Sequence, residues 1–341
     1  MQSKINLLGL PLEQLKLKFL EIGLCALDAK RVFPWIHVKS ARSFDVMSDL
    51  PQKIRKILGE KCSIDRPERV VLQKSLDGTQ KALLKFEDCN HIETVLIPEE
   101  NRNTICISSQ IGCAIGCKFC YTGTQNFIRN LSSSEIMSQI FFWKDSLEGS
   151  ITNIVFMGMG EPLLNYENLS NALELLLNNK AHNFSKNKIT VSTSGIIGES
   201  FNDFAKFGVK LAISLHASSD EKRSLMMPIN KKYDIETILK AAKKYLKNSN
   251  TDYITFEYLL LKNINDSSID AQNLAKILHK IPCKVNLILF NKWPGSIFQE
   301  SSMEKANKFS HILLSRGIRT IIRKSRGNDI LAACGQLKSY A

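Results

Sequence analysis

Three cysteines stand close together in the stretch GCAIGCKFCYTG, with an aromatic residue directly before the last of them. Cys113, Cys117 and Cys120 follow a C-x3-C-x2-C spacing, and Phe119 precedes Cys120. Three thiolates on one short loop can converge on a metal centre, but a structural zinc site needs four ligands, and no fourth Cys or His lies nearby in the sequence. A cubane iron–sulfur cluster that is bound by three cysteines leaves one iron open to a substrate. The spacing therefore favours such a cluster, with zinc as the alternative.

Glycine or polar residues end several of the predicted strands that follow this loop. The second strand ends in GMGE at residues 158–161, the third in STSG and the fourth in SLH, while the sixth ends at Asn291 before a WPG turn. Reactive residues of α/β barrels lie at the C-terminal ends of the strands, so we expect these groups to share one ligand. Glycines admit a ligand close to the backbone, and Glu161 can accept a hydrogen bond from an ammonium group.

Two further cysteines have no partner at the spacing of metal ligands. Cys106 is on the first predicted strand of the alternating region, and Cys334 lies in the segment AACGQL. Core packing is the ordinary role of a lone cysteine on a strand. Small residues and a glycine surround Cys334, where the chain can move, so its thiol is a candidate for chemistry. The remaining cysteines are predicted to be small buried hydrophobic residues: Cys25, Cys62, Cys89 and Cys283.

Short apolar strands alternate with helices from about residue 104 and would position these groups. The strand candidates are TICISSQIG, ITNIVFMG, KITVSTSG, KLAISLHA, YITFEYLLL, KVNLILFN and a final TIIRKS. Helices are predicted between them at 132–147, 166–177, 235–246, 271–279 and 303–315, and Ser132 with Glu135 forms a capping box at the first. About six strand–helix units predict an α/β fold with a parallel sheet, either open and doubly wound or a full or partial barrel.

The first hundred residues follow different patterns. Pro11 stands at a first helical position before LEQLKLKFLEIGLCAL, and AKRVFPWI and LPQKIRKILG are shorter amphipathic segments. Between about 68 and 98 the period changes to two, and a DG turn at Asp77 and Gly78 predicts a hairpin that a third strand follows. We therefore predict a helical accessory domain over 1–65, a β adaptor over 66–100 and an α/β core over 101–341.

The composition is that of a folded chain with excess positive charge. Hydrophobic residues make up 44% and charged residues 23%, which excludes a disordered or low-complexity chain. Lys and Arg number 46 against 33 Asp and Glu, and the net charge of +13 makes nucleic acid the leading class of partner. The first residues lack an apolar signal core, and no run approaches the roughly 20 apolar residues of a membrane span. We expect a cytoplasmic protein without a membrane partner, in which the nine cysteines form no disulfide framework.

These motifs, taken in order, resemble a known family of S-adenosylmethionine (SAM) enzymes. The cysteine loop with its aromatic residue resembles that of the radical SAM superfamily, in which the open iron binds the amino and carboxylate groups of SAM. From about residue 93 to 337 the chain resembles the RlmN family of dual-specificity RNA methyltransferases, and more weakly so at AKRVFPWI and MSDLP. The segments that carry this resemblance are TICISSQIGCAIGCKFCYTG, NIVFMGMGEPLLN, TVSTSG, AISLHA, MPINKKYDIE, PCKVNLILFN and IRKSRGNDILAACGQL. The resemblance implies a partial (β/α)6 TIM-like radical SAM barrel.

The resemblance also implies a reaction, which is methylation of carbon 2 of adenine in 23S rRNA, at the peptidyl transferase centre, and in tRNA. Carbon 2 lies between two ring nitrogens and has no lone pair to attack a sulfonium methyl, so a radical route is required. In the family, a first SAM methylates the cysteine at the position of Cys334, and a second yields a 5′-deoxyadenosyl radical that takes a hydrogen atom from this S-methyl group. The carbon radical adds to adenine, and Cys106 would remove the carbon 2 proton and resolve the adduct as a disulfide with Cys334.

Site residues and partners follow from the same resemblance. A [4Fe-4S] cluster would be bound by Cys113, Cys117 and Cys120, and Glu93 in HIETVLIP would be the acid–base residue. SAM contacts would come from Gly160, Glu161, Ser192, Ser214, Leu215, His216 and Asn291. The partners would be 23S rRNA, tRNA and an electron donor such as flavodoxin, and the enzyme would be a monomer. Basic residues in IRKSRGND would contact RNA phosphates, and the N-terminal helices would grip folded RNA: Arg323, Lys324 and Arg326 form the basic segment.

Two other functions stay open at this point. The sister antibiotic-resistance branch, Cfr, methylates carbon 8 of the same rRNA adenine, although Pro162 and the segment RKSRGND look more like the carbon 2 branch. A zinc-stabilised RNA-binding protein without catalysis would be colourless, whereas the enzyme would be brown and sensitive to oxygen. Leu331, where the family pattern has an acidic residue, and Ser218, where it often has proline, are departures that affect loop detail.

Overall fold

Three helices and a short parallel strand pair make up the N-terminal part of the protein. The structure is a computed structural model that describes residues 4–339. The elements of this part are β1 (Ile5–Asn6), α1 (Leu12–Glu21), α2 (Ala26–His37), α3 (Gln52–Lys61) and β2 (Cys62–Ser63). The predicted helices are present, although Pro11 precedes α1 as its capping residue instead of lying in its first turn. Pairing of β1 with β2 was not predicted, because two-residue strands have no detectable periodicity.

The predicted hairpin and third strand are present but do not form a sheet of their own. They are β3 (Glu68–Lys74), β4 (Gln80–Lys85) and β5 (His91–Glu99). Gly78 in the turn between β3 and β4 has a φ of +87°, a conformation that glycine adopts without strain. Strand β5 pairs antiparallel with β6 (Arg102–Cys106), so the hairpin extends the sheet of the core and β3 is its outer edge.

Strands and helices alternate through the rest of the chain. In chain order they are β7 (Gln110–Ile111), β8 (Arg129–Asn130), α4 (Ser133–Ser146), β9 (Asn153–Phe156), α5 (Tyr166–Leu177), β10 (Ile189–Thr193), α6 (Glu199–Phe204), β11 (Lys210–Ser214), α7 (Asp220–Met226), α8 (Ile235–Ser249), β12 (Ile254–Leu260), α9 (Ser268–Leu278), β13 (Cys283–Leu289), α10 (Met303–Ser315) and β14 (Arg319–Arg323). The bounds of α5 and α10 agree with the prediction. Helix α8 runs further than predicted and ends at Ser249, followed by a left-handed Asn250 as its C-cap.

The parallel strands form an open barrel. They are hydrogen-bonded in the order β6-β9-β10-β11-β12-β13-β14, and each crossover between neighbours contains at least one helix. In the part of the sheet that the structure describes, β14 does not pair with β6, so the barrel is partial. All seven residues of β12 are buried, as expected for a parallel strand covered on both faces. The predicted partial (β/α)6 barrel is confirmed, with β14 as an additional strand.

Helix α4 joins the barrel to the N-terminal helices. Its capping box is present, since the Ser132 hydroxyl accepts from the Glu135 amide at 3.2 Å and the Ser132 amide donates to the Glu135 carboxylate at 2.7 Å. The helix is buried on nearly every side because the sheet covers one face and the N-terminal part covers the other. Gly9 lies so close to its first turn that an added Cβ would stand 2.1 Å from the Ser134 nitrogen. Over residues 4–339, we find no helix with the length and apolarity that crossing a bilayer requires.

Candidate active site

The three clustered cysteines lie on the loop after β7 and line one cavity of about 140 Å³ at the C-terminal ends of the barrel strands. We call this the strand-end cavity; Glu161, Ser192, Ser214, His216 and Cys334 also line it. Backbone hydrogen bonds hold the loop in place, because the Lys118 amide donates to the Met226 carbonyl at 2.9 Å and the Tyr121 amide to the Gly335 carbonyl at 2.7 Å. The loop is therefore anchored both to α7 and to the segment that carries Cys334.

The chemistry of the three thiols fits a bound iron–sulfur cluster. Burial raises the pKa of Cys113 to about 12, and burial also raises the pKa values of Cys117 and Cys120. Thiolates in such a site need nearby positive charge, which ferrous and ferric ions supply. Within residues 4–339, no three Cys, His, Asp or Glu side chains converge on a single ion. A cubane does not require that convergence, because each of its cysteines binds a different iron.

Aromatic side chains close one side of the cysteine loop. The Phe119 ring meets the His216 ring edge to face, with 4.9 Å between the ring centroids. The Trp293 indole donates to the Phe119 carbonyl at 3.0 Å and stacks on the Tyr121 ring at 4.8 Å. The WPG turn after β13 thus packs against the cysteine loop, an arrangement that keeps water from this side of the cavity.

The strand ends contribute to the strand-end cavity much as predicted, with two differences. Gly160 lines it with a φ of +95°, and a Cβ there would stand 2.5 Å from the Gln110 side chain. Leu215 is fully buried and does not line this cavity, although its neighbours Ser214 and His216 do. Asn291 lines a different cavity, and its side-chain amide donates to the Cys334 carbonyl at 3.1 Å. The roles of these residues in binding SAM stay predictions.

Glu161 already accepts hydrogen bonds from its own chain. One carboxylate oxygen accepts from the Ser194 amide at 2.6 Å and from the Ser194 hydroxyl at 2.7 Å, and the other accepts from the Leu163 amide at 3.1 Å. Burial raises the pKa of Glu161, and the bonds from Ser194 oppose that shift. Each carboxylate oxygen has two lone pairs, so capacity for one ammonium donor is left.

Cys334 lies between the strand-end cavity and a second cavity of about 350 Å³. We call the second the basic cavity, because Arg102, Arg323, Lys324 and Arg326 line it together with Cys106. Part of the Cys334 surface is exposed, because the residue borders both cavities. The walls of these cavities nevertheless surround its thiol with protein, and this burial raises the pKa of Cys334 to about 11. Burial, followed by the neighbouring Cys334, raises the pKa of Cys106 to about 12. The structure therefore brings the two cysteines together.

The predicted disulfide is not present. All nine cysteines of the chain are free thiols, Cys106 and Cys334 among them. A pair that bonds only during turnover would be reduced at rest, so a disulfide does not describe the resting protein.

Glu93 lies near this site but lines neither cavity. It is buried on β5, where its carboxylate forms an ion pair with the Lys81 ammonium at 2.8 Å and accepts from the Lys338 amide at 2.8 Å. Burial raises its pKa, and the charge of Lys81 opposes that shift. Each carboxylate oxygen thus has one partner, and the acid–base role of Glu93 stays a prediction.

Two buried charged residues escaped the sequence analysis. Arg223 on α7 uses its guanidinium to donate to carbonyls at the ends of β10 and β11, and its charge lowers the pKa of Cys117 against the effect of burial. It stands in the polar run DEKRS, which is typical of a solvated helix, so no local signal marks it.

Glu257 lines the strand-end cavity, and one of its carboxylate oxygens has no hydrogen-bond partner. A carboxylate inside the apolar run YITFEYLLL was a signal that could have found it.

Comparison with known proteins agrees with this geometry. A family model described as the radical SAM superfamily matches residues 107–274, and one described as the ribosomal RNA large subunit methyltransferase N-terminal domain matches residues 5–64. The dual-specificity RNA methyltransferase RlmN of Rhodospirillum rubrum is 43% identical over 99% of this chain and 81% of its own length. Its counterpart in Francisella tularensis subsp. mediasiatica is 43% identical over 98% of this chain and 93% of its own. The crystal structure of a radical SAM methyltransferase from Sphaerobacter thermophilus superposes with a TM-score of 0.92 at 38% identity, covering 98% of this chain and 99% of that one.

Proposed function

The chain belongs to the RlmN family of dual-specificity RNA methyltransferases within the radical SAM superfamily, and we propose that it methylates carbon 2 of adenine in 23S rRNA and in tRNA. The position of Cys334 is the observation that carries this proposal. Its sulfur borders the strand-end cavity on one side and the basic cavity on the other. A methyl group on that sulfur could be activated from the first cavity and delivered to RNA in the second.

The strand-end cavity is proposed to hold the cofactors. Cys113, Cys117 and Cys120 would bind the [4Fe-4S] cluster, and Gly160 and Glu161 would contact SAM beside it. The other proposed SAM contacts are Ser192, Ser214, Leu215, His216 and Asn291. The chemistry that cluster and SAM would supply there is a 5′-deoxyadenosyl radical able to take a hydrogen atom from a methyl group. The chain itself contributes a site that is closed by Phe119 and Trp293 and lined by strand-end polar groups.

Cys334 and Cys106 are proposed to have different roles in the methylation of RNA. Cys334 would carry the methyl carbon as a thioether, and Cys106 would take the proton from carbon 2 of adenine. The adduct would give up one electron, with the oxidised cluster as acceptor, and Cys106 would release its proton. The Cys106 thiolate would then form a transient sulfur–sulfur bond to Cys334 as the bond between the carbon and the Cys334 sulfur breaks. The electron pair of the broken bond would stay on the carbon, which takes a proton to become the methyl group, and an external thiol would reduce the disulfide. Glu93 is proposed as the acid–base residue, which requires its carboxyl group to reach the substrate from a position that lines neither cavity in the structure. Arg323 supports both cysteines, because its charge lowers the pKa of each against the effect of burial.

The basic cavity is proposed to receive the target nucleotide. Arg102, Lys324 and Arg326 are placed to meet phosphates around an adenine that has been turned out of the RNA. The N-terminal helices would add contacts to folded RNA, whose shape and phosphates proteins read more than its sequence. Flavodoxin as electron donor, a monomeric state, a cytoplasmic location and the domain bounds at 65 and 100 stay predictions that accompany this proposal.

An anaerobic assay of the reconstituted protein tests the proposal. The protein would be incubated with SAM and a reductant, separately on a 23S rRNA fragment and on tRNA, and nuclease digests would be examined by mass spectrometry. We expect 2-methyladenosine from both RNAs with the wild type and with Cys283→Ala, a matched control on β13, and none with Cys334→Ala. Formation of 8-methyladenosine would assign the chain to the sister branch. A colourless, zinc-containing protein without activity would overturn the enzymatic proposal altogether.

A further inference from the structure

Residues of the β3–β4–β5 hairpin anchor both ends of the segment that carries Cys334, while the cysteine loop and Asn291 contact its middle. We define this segment as residues 327–338. At its start, the Gly327 amide donates to the Asp77 carboxylate at 3.0 Å, and the Asp329 carboxylate accepts from the Ser75 hydroxyl at 2.6 Å. Both contacts lie at the tip of the hairpin turn. Leu331, three residues before Cys334, has a φ of +52°, which a leucine adopts only when surrounding contacts hold it.

One buried ammonium group connects the two arms of this segment. Lys81 on β4 donates to the Leu331 carbonyl at 3.2 Å, before Cys334, and forms an ion pair with the Glu93 carboxylate at 2.8 Å. The other oxygen of Glu93 accepts from the Lys338 amide at 2.8 Å, after Cys334. The side chains of Lys81 and Glu93 are only 8% and 7% exposed, so water does not compete for these bonds.

We propose that Lys81 is a positioning residue that holds Cys334 at the wall between the strand-end cavity and the basic cavity. It does so through a direct hydrogen bond to the Leu331 carbonyl and, on the other side of Cys334, through Glu93, which accepts from the Lys338 amide. Lys81 lines neither cavity and reaches Cys334 only through the segment and through Glu93. The consequence for methyl transfer rests on the proposed function, whereas the anchoring of the segment does not. Hydrogen bonds to buried charged groups are stronger than neutral ones, so loss of Lys81 should loosen the segment.

Three variants and a control separate this role from general stability. Lys81→Met removes the ammonium group but leaves the buried Glu93 carboxylate without a counter-ion, and an unpaired buried charge can unfold a protein. The double variant Lys81→Met with Glu93→Gln removes both charges and keeps an oxygen for the Lys338 amide. Lys81→Arg restores a cation with donors. The control is Lys85→Met, which breaks the neighbouring ion pair with Glu68, where the two side chains are 35% and 65% exposed.

Hydrogen exchange of the reconstituted protein, followed by mass spectrometry, is the first measurement. In the double variant we expect amides of residues 331–338 to exchange about tenfold faster or more, with the barrel strands and the iron content unchanged. Lys81→Arg should recover most of the protection, and Lys85→Met should match the wild type. Unchanged exchange of 331–338 in the double variant, or equal loosening across the barrel, would overturn the positioning role.

Methylation of Cys334 is the second measurement, made by mass spectrometry of the protein. Lys81→Met and the double variant should both accumulate S-methylcysteine more slowly than Lys81→Arg and the wild type, and the double variant should keep the wild-type dissociation constant for SAM. Weakened SAM binding in the double variant would contradict the proposal, because neither Lys81 nor Glu93 lines the strand-end cavity. If the wild type itself never methylates Cys334, the proposed function fails while the exchange measurement still decides whether Lys81 anchors the segment.

Discussion

Replacement of Arg223 by methionine should both destabilise the fold and weaken SAM binding. Arg223 is fully buried, and each of its five N–H donors has an acceptor within 3.2 Å. Four acceptors are backbone carbonyls: those of Ser194, Ser214, Leu215 and Tyr233. Burial lowers the pKa of Arg223 to about 10, so it stays charged at neutral pH. A single side chain therefore holds the ends of β10 and β11 together beside the cysteine loop.

The size of the effect follows from the carbonyls that lose their donor. The Leu215 carbonyl keeps a hydrogen bond from the Ala217 amide at 2.8 Å, so three carbonyls are left without a partner. A buried acceptor without a partner costs about 1–3 kcal/mol, so these three at the lower figure predict a loss of about 3 kcal/mol in the free energy of unfolding. Methionine fills much of the vacated space, which limits any further loss from a cavity. A loss of this size is a large part of the total stability of an ordinary domain. Arg223 binds the carbonyl of Ser194, whose amide in turn donates to the carboxylate of Glu161, a proposed SAM contact. Loss of Arg223 should therefore displace Glu161, and we expect SAM to bind at least about tenfold more weakly.

Urea unfolding and SAM titration test this prediction. The midpoint and slope of unfolding at pH 7 would be compared for the wild type, Arg223→Met and Arg316→Met, a control at an exposed arginine after α10. We expect the control to lie within about 0.5 kcal/mol of the wild type. An Arg223→Met protein within about 1 kcal/mol of the control, with normal SAM affinity, would refute the reasoning from the five hydrogen bonds.

Three other predictions address the cysteines and the domain contact. Cys117→Ala should abolish iron binding, SAM cleavage and RNA methylation together, and iron content equal to the wild type would contradict its place as a ligand. Cys106→Ala should still methylate Cys334 and attack RNA, leaving enzyme covalently bound to it; rapid turnover with free RNA would exclude a resolving role. Burial lowers the pKa of His182 to about 3 and that of its neighbour His37, 3.3 Å away, well below 6.5. The unfolded chain binds protons at these sites below pH 6.5 while the folded chain does not, so stability is greatest above that pH and falls as the pH drops toward 3. Between pH 7 and pH 5 the loss from His182 is about 2 kcal/mol, and urea midpoints should show a smaller loss in His182→Phe.

Local sequence patterns were sufficient for most elements of the fold. The period of apolar residues predicted the bounds of α5 and α10 correctly, and the pair Ser132 and Glu135 marked the start of α4, because capping depends on residues three apart. The strand–helix alternation predicted the parallel sheet but left an open sheet and a barrel as alternatives, since each unit repeats a local pattern. The same sequence also located the cysteine loop, whose ligands are neighbours along the chain. Its strand-end residues could be grouped because parallel strands end at one edge.

Tertiary structure alone decided which distant residues meet. Nothing near Cys334 in sequence indicates that it borders two cavities, or that Asn291 would bind its carbonyl instead of lining the strand-end cavity. The engagement of Glu93 with Lys81 and the Lys338 amide, and the five bonds of Arg223, likewise join separate elements. Side-chain periodicity records which face of an element is buried, whereas the partner across a buried contact depends on how several elements pack at once. The sequence by itself therefore determined the chemistry that the chain carries, and the packing of the hairpin, the barrel and the C-terminal segment determined where that chemistry takes place.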